Sequence, residues 1–122
     1  MKSYFDLIDQ TFDFPTQEFK VNGKYLEFHD VPLKDIIKEH GTPLRLTYLP
    51  KISENIQKAK KWFEASIKKH KYQGSYTYCY CTKSSHFSFV LDETIKNGCQ
   101  IETSSAFDIP IVRSLHAKGK ID

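Results

Sequence analysis

The sequence has few cysteines and no long apolar run. Its three cysteines, Cys79, Cys81 and Cys99, include no Cys-x-x-Cys pair, and an odd number without that spacing argues against a disulfide framework and against a zinc site. No stretch approaches the roughly 20 apolar residues that a membrane span requires. Asp6 lies where a signal peptide needs an apolar segment. These absences predict a soluble cytoplasmic protein with reduced cysteines and no membrane partner.

The charge is nearly balanced, with 18 Lys and Arg against 15 Asp and Glu. The densest basic run, residues 58–71, falls on the polar face of a predicted helix. No aromatic stacking platform or recognised nucleic-acid motif accompanies it, so we expect no nucleic-acid partner. A length of 122 residues allows one modest core. It is too short for a complete (β/α)₈ barrel of about 250 residues.

The first part of the chain predicts a hairpin and a short helix. No periodic pattern is evident up to about Asn22, and Asn22-Gly23 then signals a tight turn between two strands. A helix is predicted from Pro32 to Glu39, with Gly41 as its C-terminal cap. We assign residues 1–40 to an N-terminal extension with this hairpin and helix.

Residues 41–122 predict alternating strands and helices. The predicted strands are 43–49, 75–82 and 100–103, and the helices are 53–70 with Ser53 as N-cap, 88–97 with Gly98 as cap, and a last one reaching about Ala117. This order calls for parallel strands joined by right-handed crossovers. The sequence stops where another strand would follow, so we expect an incomplete (β/α) barrel that is part of a longer protein.

Lys83 directly follows the second of these predicted strands, and Glu102 lies at the end of the third. Ends of adjacent parallel strands lie about 5 Å apart, at the edge where α/β folds bind ligands. A desolvated lysine supplies the neutral amine that Schiff-base chemistry needs, and a neighbouring carboxylate can orient it or exchange protons with it. The alternatives are an exposed lysine for Lys83 and a simple salt bridge for Glu102.

Two further positions lie near this edge. Ser105 and Asp108 have the spacing of a capping box, and Asp108 as N-cap with Pro110 in the first turn is the other solution. Either solution places a helix N-terminus, which favours anions, near the strand ends. His86 is a candidate for an acid–base group or for stacking on a flat cofactor, although a lone histidine there is more often neither.

The chain resembles the N-terminal part of the pyridoxal-phosphate-dependent decarboxylases of the alanine-racemase-like barrel class, which act on basic amino acids. The resemblance begins at Phe28–Leu33, continues through His40–Leu46, and includes Tyr80–Ser85, which is similar to the family's Tyr-x-x-Lys-x-Asn signature at its tyrosine and lysine. Glu102–Ser105 is similar to the strand whose acidic residue lies close to the cofactor lysine. Ser85 stands where the family usually has Asn.

The resemblance implies the N-terminal portion of a PLP-binding (β/α)₈ TIM-type barrel, preceded by a short β-hairpin that belongs to a second, β-rich domain. It implies that Lys83 holds pyridoxal 5'-phosphate, with Glu102 and His86 beside it. It also implies a homodimer in the full-length protein, whose active site is shared between subunits, and a fragment that is inactive alone. The family's phosphate-binding glycines lie downstream of these residues.

Arginine decarboxylation to agmatine, a step of polyamine biosynthesis, is the first functional expectation, because the family's biosynthetic arginine decarboxylases also have Glu at the position of Glu102. Diaminopimelate or carboxynorspermidine decarboxylase is the alternative within the family. A non-enzymatic regulator derived from the barrel, or a small binding module, is the alternative from a different class.

Overall fold

A computed structural model describes residues 18–122, which divide into two compact units. The described part of the first unit runs to Leu46, and the second unit is Thr47–Asp122. The expectation of an irregular N-terminal segment falls mostly on residues 1–17, which lie outside the described residues, and β-structure begins at Phe19. Within residues 18–122, no helix combines the length and apolar character needed to cross a membrane.

The first unit is an antiparallel sheet followed by a helix. Its elements are β1 (Phe19–Asn22), β2 (Tyr25–Phe28), β3 (Val31–Pro32) and α1 (Leu33–His40), with sheet order β1-β2-β3. The predicted hairpin is confirmed, because Asn22 pairs with Tyr25 across a two-residue turn. Gly23 adopts φ 62°, a left-handed conformation that glycine accepts without steric cost.

The apolar side of this unit lies between the sheet and α1. The rings of Phe19 and Phe28 face each other at 5.0 Å between centroids. A groove of about 450 Å³ beside them is lined by Phe19, Phe28, Leu33, Ile37, Thr42, Leu44 and Leu46. The helix begins at Leu33, one residue later than predicted, because Pro32 pairs with Glu27 in the sheet.

The second unit alternates helices and strands. Its elements are α2 (Leu49–His70), β4 (Cys79–Cys81), α3 (Ser88–Lys96), β5 (Gln100–Glu102), a 3₁₀ turn (Ala106–Asp108) and α4 (Ile109–Ala117). The predicted parallel pairing of the last two strands is confirmed, with α3 as the crossover between them. The buried apolar residues of this unit are Ile56, Val90, Leu91, Cys99 and Leu115.

Two predictions near the start of this unit are wrong. Residues 43–49 form no strand, since the described part of the chain offers them no pairing partner, and α2 already begins at Leu49. Pro50 occupies the first turn of α2, where its missing N–H is not needed. Ser53 therefore lies inside the helix and does not cap it. Its hydroxyl instead donates to the Glu93 carboxylate and accepts a hydrogen bond of 2.7 Å from Asn97.

The C-terminal end of α3 is held by α2. The ammonium group of Lys60 donates to the carbonyl oxygens of Asn97 at 2.6 Å and of Gly98 at 3.0 Å. A cation at this position stabilises the negative end of the helix dipole. Gly98 has φ 68°, which confirms the predicted glycine at this helix end.

The described residues form a three-stranded and a two-stranded sheet, without a closed barrel. β4 covers only residues 79–81 of the predicted 75–82, and the strand aligned beside it is β5. The partial barrel of the sequence analysis stays a prediction.

Candidate functional site

The parallel pairing of β4 and β5 brings two predicted site positions to the same edge of the sheet. Cys81 is aligned with Glu102 at the last position of each strand. The next residue, Thr82, donates its backbone N–H to the carbonyl oxygen of Glu102 at 3.0 Å. Lys83 follows directly, so its backbone lies one residue beyond the point where the Glu102 backbone is fixed.

The side chain of Lys83 is exposed. It lies in a turn that is closed by a hydrogen bond of 3.1 Å from the Ser84 N–H to the Cys81 carbonyl. The described residues do not desolvate this amine, because β4 is short and the chain turns away immediately after it. Among residues 18–122 the amine of Lys83 has neither a side-chain hydrogen bond nor an ion pair, so the salt bridge with Glu102 is not formed.

The carboxylate of Glu102 is also exposed, and it belongs to a chain of hydrogen bonds. The hydroxyl of Ser104 donates to Oε1 of Glu102 at 3.1 Å. The same hydroxyl oxygen lies 3.2 Å from Sγ of Cys81 on the neighbouring strand. Sequence reasoning did not assign Ser104 to the site, although its position two residues after Glu102 in an extended segment was a signal that the two side chains share one face.

Two side-chain hydroxyls, one half-buried on β4 and one buried just after it, support this edge. Thr82 is fully buried, and its hydroxyl donates to the same Glu102 carbonyl that accepts its N–H, at 3.3 Å. The hydroxyl of Tyr80 donates to the carbonyl of Ser85 at 3.0 Å, across the turn that holds Lys83. Burial raises the pKa of the Tyr80 phenol, which keeps this donor protonated well into the alkaline range.

Ser105 and Asp108 occupy the two positions predicted for them, but neither side chain makes a capping hydrogen bond to the helix that follows it. Ser105 precedes the 3₁₀ turn and Asp108 precedes α4, with Pro110 in the first turn of that helix. The Asp108 carboxylate accepts hydrogen bonds from the Ser104 N–H and the Ser105 hydroxyl, both at 3.3 Å. Asp108 is 9% exposed, so this carboxylate itself supplies the anion at the start of α4. The expectation of an anion site for a ligand there is therefore not supported.

His86 lies in the segment between the turn and α3, and its side chain is exposed. Its ring centroid is 6.2 Å from that of Phe87, whose ring in turn stacks on Phe89 at 5.4 Å. In the part of the chain that the structure describes, no contact joins His86 to Lys83 or Glu102. A role for His86 beside a cofactor stays a prediction.

No family model, no curated protein and no solved structure matches this chain. The chemical meaning of the site therefore rests on its own residues. A primary amine and a carboxylate at one sheet edge can together bind a carbonyl compound and move protons at the bound carbon. Residues 18–122 contain no group of three or more His, Cys, Asp or Glu side chains able to hold a metal ion.

Proposed function

We propose that this chain carries the cofactor lysine of a pyridoxal-phosphate-dependent decarboxylase that acts on a basic amino acid, with arginine as the first candidate substrate. Lys83 is the residue that attaches the cofactor, and Glu102 is the carboxylate beside it. When bound, pyridoxal phosphate accepts the electron pair left on the substrate carbon as CO₂ departs. The proposal concerns the full-length protein, since the resemblance implies a site shared between two subunits.

The observation that carries the proposal is the parallel register of β4 and β5. It aligns Cys81 with Glu102, and Lys83 follows two residues after Cys81, directly after the Thr82 whose N–H binds the Glu102 carbonyl. In α/β folds, ligands bind where parallel strands end at their carboxyl ends. A lysine and a glutamate at that edge, in the sequence contexts Tyr80–Ser85 and Glu102–Ser105, agree with the family resemblance in both position and residue type.

The residues present fit the aldehyde group of the cofactor, the part that a lysine would bind covalently. The amine of Lys83 is exposed and carries no competing ion pair within residues 18–122, so a carbonyl group can reach it and react once the amine has lost its proton. One carboxylate oxygen of Glu102 is held by Ser104, and the described residues make no hydrogen bond to the other. That second oxygen can accept a proton or hold a cationic amine. The start of α4 does not fit the phosphate, because the Asp108 carboxylate would repel it.

The substrate class rests on the resemblance, and the charge of Glu102 agrees with it. A glutamate carboxylate that is exposed at the sheet edge attracts a cation, which agrees with an amino acid whose side chain is a guanidinium or an amine. The choice of arginine over other basic amino acids rests on the resemblance of Glu102–Ser105 to the arginine enzymes. Release of CO₂ from arginine, diaminopimelate and carboxynorspermidine by the full-length protein discriminates among them.

The proposed attachment is tested by reductive trapping. The native full-length protein is incubated with pyridoxal phosphate, reduced with borohydride and digested, and the pyridoxyl group is mapped by mass spectrometry. Label on Lys83 supports the proposal. A folded protein that takes no label on Lys83 would overturn it and favour the regulator or binding module.

A further inference from the structure

The hydrogen bonds around Ser104 form a continuous chain from a thiol to the site carboxylate. Ser104 Oγ lies 3.2 Å from Cys81 Sγ and 3.1 Å from Glu102 Oε1. A hydroxyl has a single proton to donate, and a carboxylate can only accept. The Ser104 proton is therefore committed to Glu102, and the remaining contact is filled by the Cys81 S–H donating to the Ser104 oxygen. The order of donation is Cys81 to Ser104 to Glu102.

These hydrogen bonds join β4 and β5 at the carboxyl ends of the two strands, where the candidate site begins. Cys81 and Glu102 are aligned residues of β4 and β5, and Ser104 reaches both of them from the segment that follows β5. The backbone N–H of Ser104 is in turn fixed by the buried carboxylate of Asp108 at 3.3 Å. The hydroxyl is thus held from both sides and is not free to rotate as an exposed serine normally would.

We infer that Ser104 is a positioning residue that sets the orientation of the Glu102 carboxylate, and that the state of the Cys81 thiol regulates it. The inference deepens the proposed function and rests on it for its catalytic meaning. With Oε1 occupied by Ser104, the carboxylate rotates less, and Oε2 is the oxygen left for Lys83 or a substrate ammonium. Loss of the thiol proton turns the sulfur into an acceptor that competes with Glu102 for the Ser104 proton.

Cys81 is suited to such a role because it is partly accessible. Its side chain is half-buried, whereas Cys99 is buried, so a small thiol reagent can reach it. A methanethiosulfonate forms a mixed disulfide with it: the thiolate sulfur bonds the sulfenyl sulfur of the reagent, a sulfinate leaves with the electron pair of the broken bond, and the thiol proton passes to solvent. The product has no S–H donor.

The test is an infrared measurement of the Cys81 S–H stretch. The difference between the spectra of the full chain and of its Cys81→Ala variant isolates this one thiol. Donation weakens the S–H bond, so we expect a band at lower frequency than that of a free thiol. The band should move to the free-thiol frequency in Ser104→Ala and stay in place in Ser104→Thr, which retains the hydroxyl.

Glu102→Ala gives a further variant, because the hydrogen bonds of the described residues connect Glu102 to the thiol through Ser104. Without the carboxylate, the Ser104 proton is released to donate to sulfur, and the Cys81 band should shift in frequency. An unshifted Cys81 band in both Ser104→Ala and Glu102→Ala would overturn the inference. Since Ser104 and Glu102 are exposed, the fold should tolerate both changes. The wild-type spectrum by itself also tests the hydrogen bonds. If the Cys81 band of the wild-type protein lies at the frequency of a free thiol, Cys81 does not donate to Ser104.

The same samples separate this inference from the proposed function. In the full-length protein, pyridoxyl label on Lys83 together with a several-fold lower kcat and an unchanged KM in Ser104→Ala, rescued in Ser104→Thr, supports both. Label on Lys83 with an unaltered kcat in Ser104→Ala overturns the positioning role. Absence of label on Lys83 overturns the proposed function. The frequency of the Cys81 S–H band still tests the hydrogen bonds from Cys81 to Ser104 and Glu102 in that case.

Discussion

The carbonyl oxygen of Glu102 accepts two hydrogen bonds from Thr82, one from the backbone N–H at 3.0 Å and one from Oγ1 at 3.3 Å. Thr82 is fully buried, whereas its neighbours Lys83 and Ser84 are exposed. This doubled contact fixes the end of β4 against the end of β5. It thereby sets the distance along the sheet edge between the backbones that carry the lysine and the glutamate.

Replacing Thr82 with valine should destabilise the second unit. The change keeps the side-chain shape and removes only the hydroxyl, and the Glu102 carbonyl keeps its backbone donor. We expect the free energy of unfolding in urea to fall by about 1 kcal/mol, the usual net value of one such hydrogen bond. Thr77→Val, at an exposed position of the same segment, is the matched control and should leave it unchanged. Equal stability of the two variants would contradict the account.

Replacing Lys60 with methionine should loosen the contact between α2 and α3. Methionine retains an apolar stem of similar length but cannot donate to the carbonyl oxygens of Asn97 and Gly98. We expect a loss of about 1 kcal/mol in the free energy of unfolding, from a cation at a helix C-terminus and its hydrogen bonds. Lys61→Met changes the exposed neighbour and should cost much less. The account fails if the two methionine variants unfold at the same urea concentration.

Replacing Asp108 with alanine should disturb the start of α4. The carboxylate accepts hydrogen bonds from the Ser104 N–H and the Ser105 hydroxyl, and its loss leaves both donors without this acceptor. We expect a loss of about 1 to 2 kcal/mol in the free energy of unfolding, for two hydrogen bonds to a buried carboxylate. Asp122→Ala, an exposed carboxylate in the same unit, serves as the control. Thermal unfolding of both variants measures the difference, and an unchanged midpoint in Asp108→Ala would refute this stabilising role of the carboxylate.

The buried thiol of Cys99 should make stability depend on pH in the alkaline range. Burial raises the pKa of this thiol in the folded state, an effect that the ammonium of Lys60 partly opposes. Below the pKa of the unfolded thiol, about 8.5, both states hold the proton and the stabilisation is fully present. As pH rises from there through the folded pKa, the unfolded chain releases its proton first, so stability is lost.

Urea unfolding at a series of pH values from neutral to alkaline measures this slope. Cys99→Ala should remove the part of it that begins near the ordinary thiol range, whereas Cys79→Ala, at an exposed thiol, should retain it. Tyr80 contributes a slope of the same sign at higher pH, because burial raises its pKa as well. A slope in Cys99→Ala identical to that of the wild type would contradict this assignment.

Local signals in the sequence predicted the parts of the fold that local chemistry decides. The Asn22-Gly23 turn, the helix end at Gly98 and the parallel order of β4 and β5 all follow from turn residues and periodicity, and each is confirmed. The strand predicted at 43–49 is absent because alternation of apolar residues makes a strand possible, but a strand needs a partner. No pattern within a segment reveals whether a partner is present.

The site was predictable at its backbone positions and not in its side-chain contacts. The rule that parallel strand ends meet at one edge placed the backbones of Lys83 and Glu102 at the same edge, where the register partner of Glu102 is Cys81. The same rule could not show that Ser53 binds Glu93 on another helix, or that Ser104 links Cys81 to Glu102. These contacts depend on which side chains are brought together by packing of elements that are distant in sequence. The periodic pattern of short polar residues does not indicate such tertiary contacts.

The central claim is that Lys83 is the specific attachment site of pyridoxal phosphate, and the occupancy of individual lysines tests it most directly. The full-length protein is titrated with the cofactor, reduced with borohydride, and the labelled fraction of each lysine is measured by mass spectrometry. The account predicts that Lys83 saturates at far lower cofactor concentration than the exposed Lys118 of the same unit. Labelling of Lys83 that only parallels that of Lys118 would contradict it.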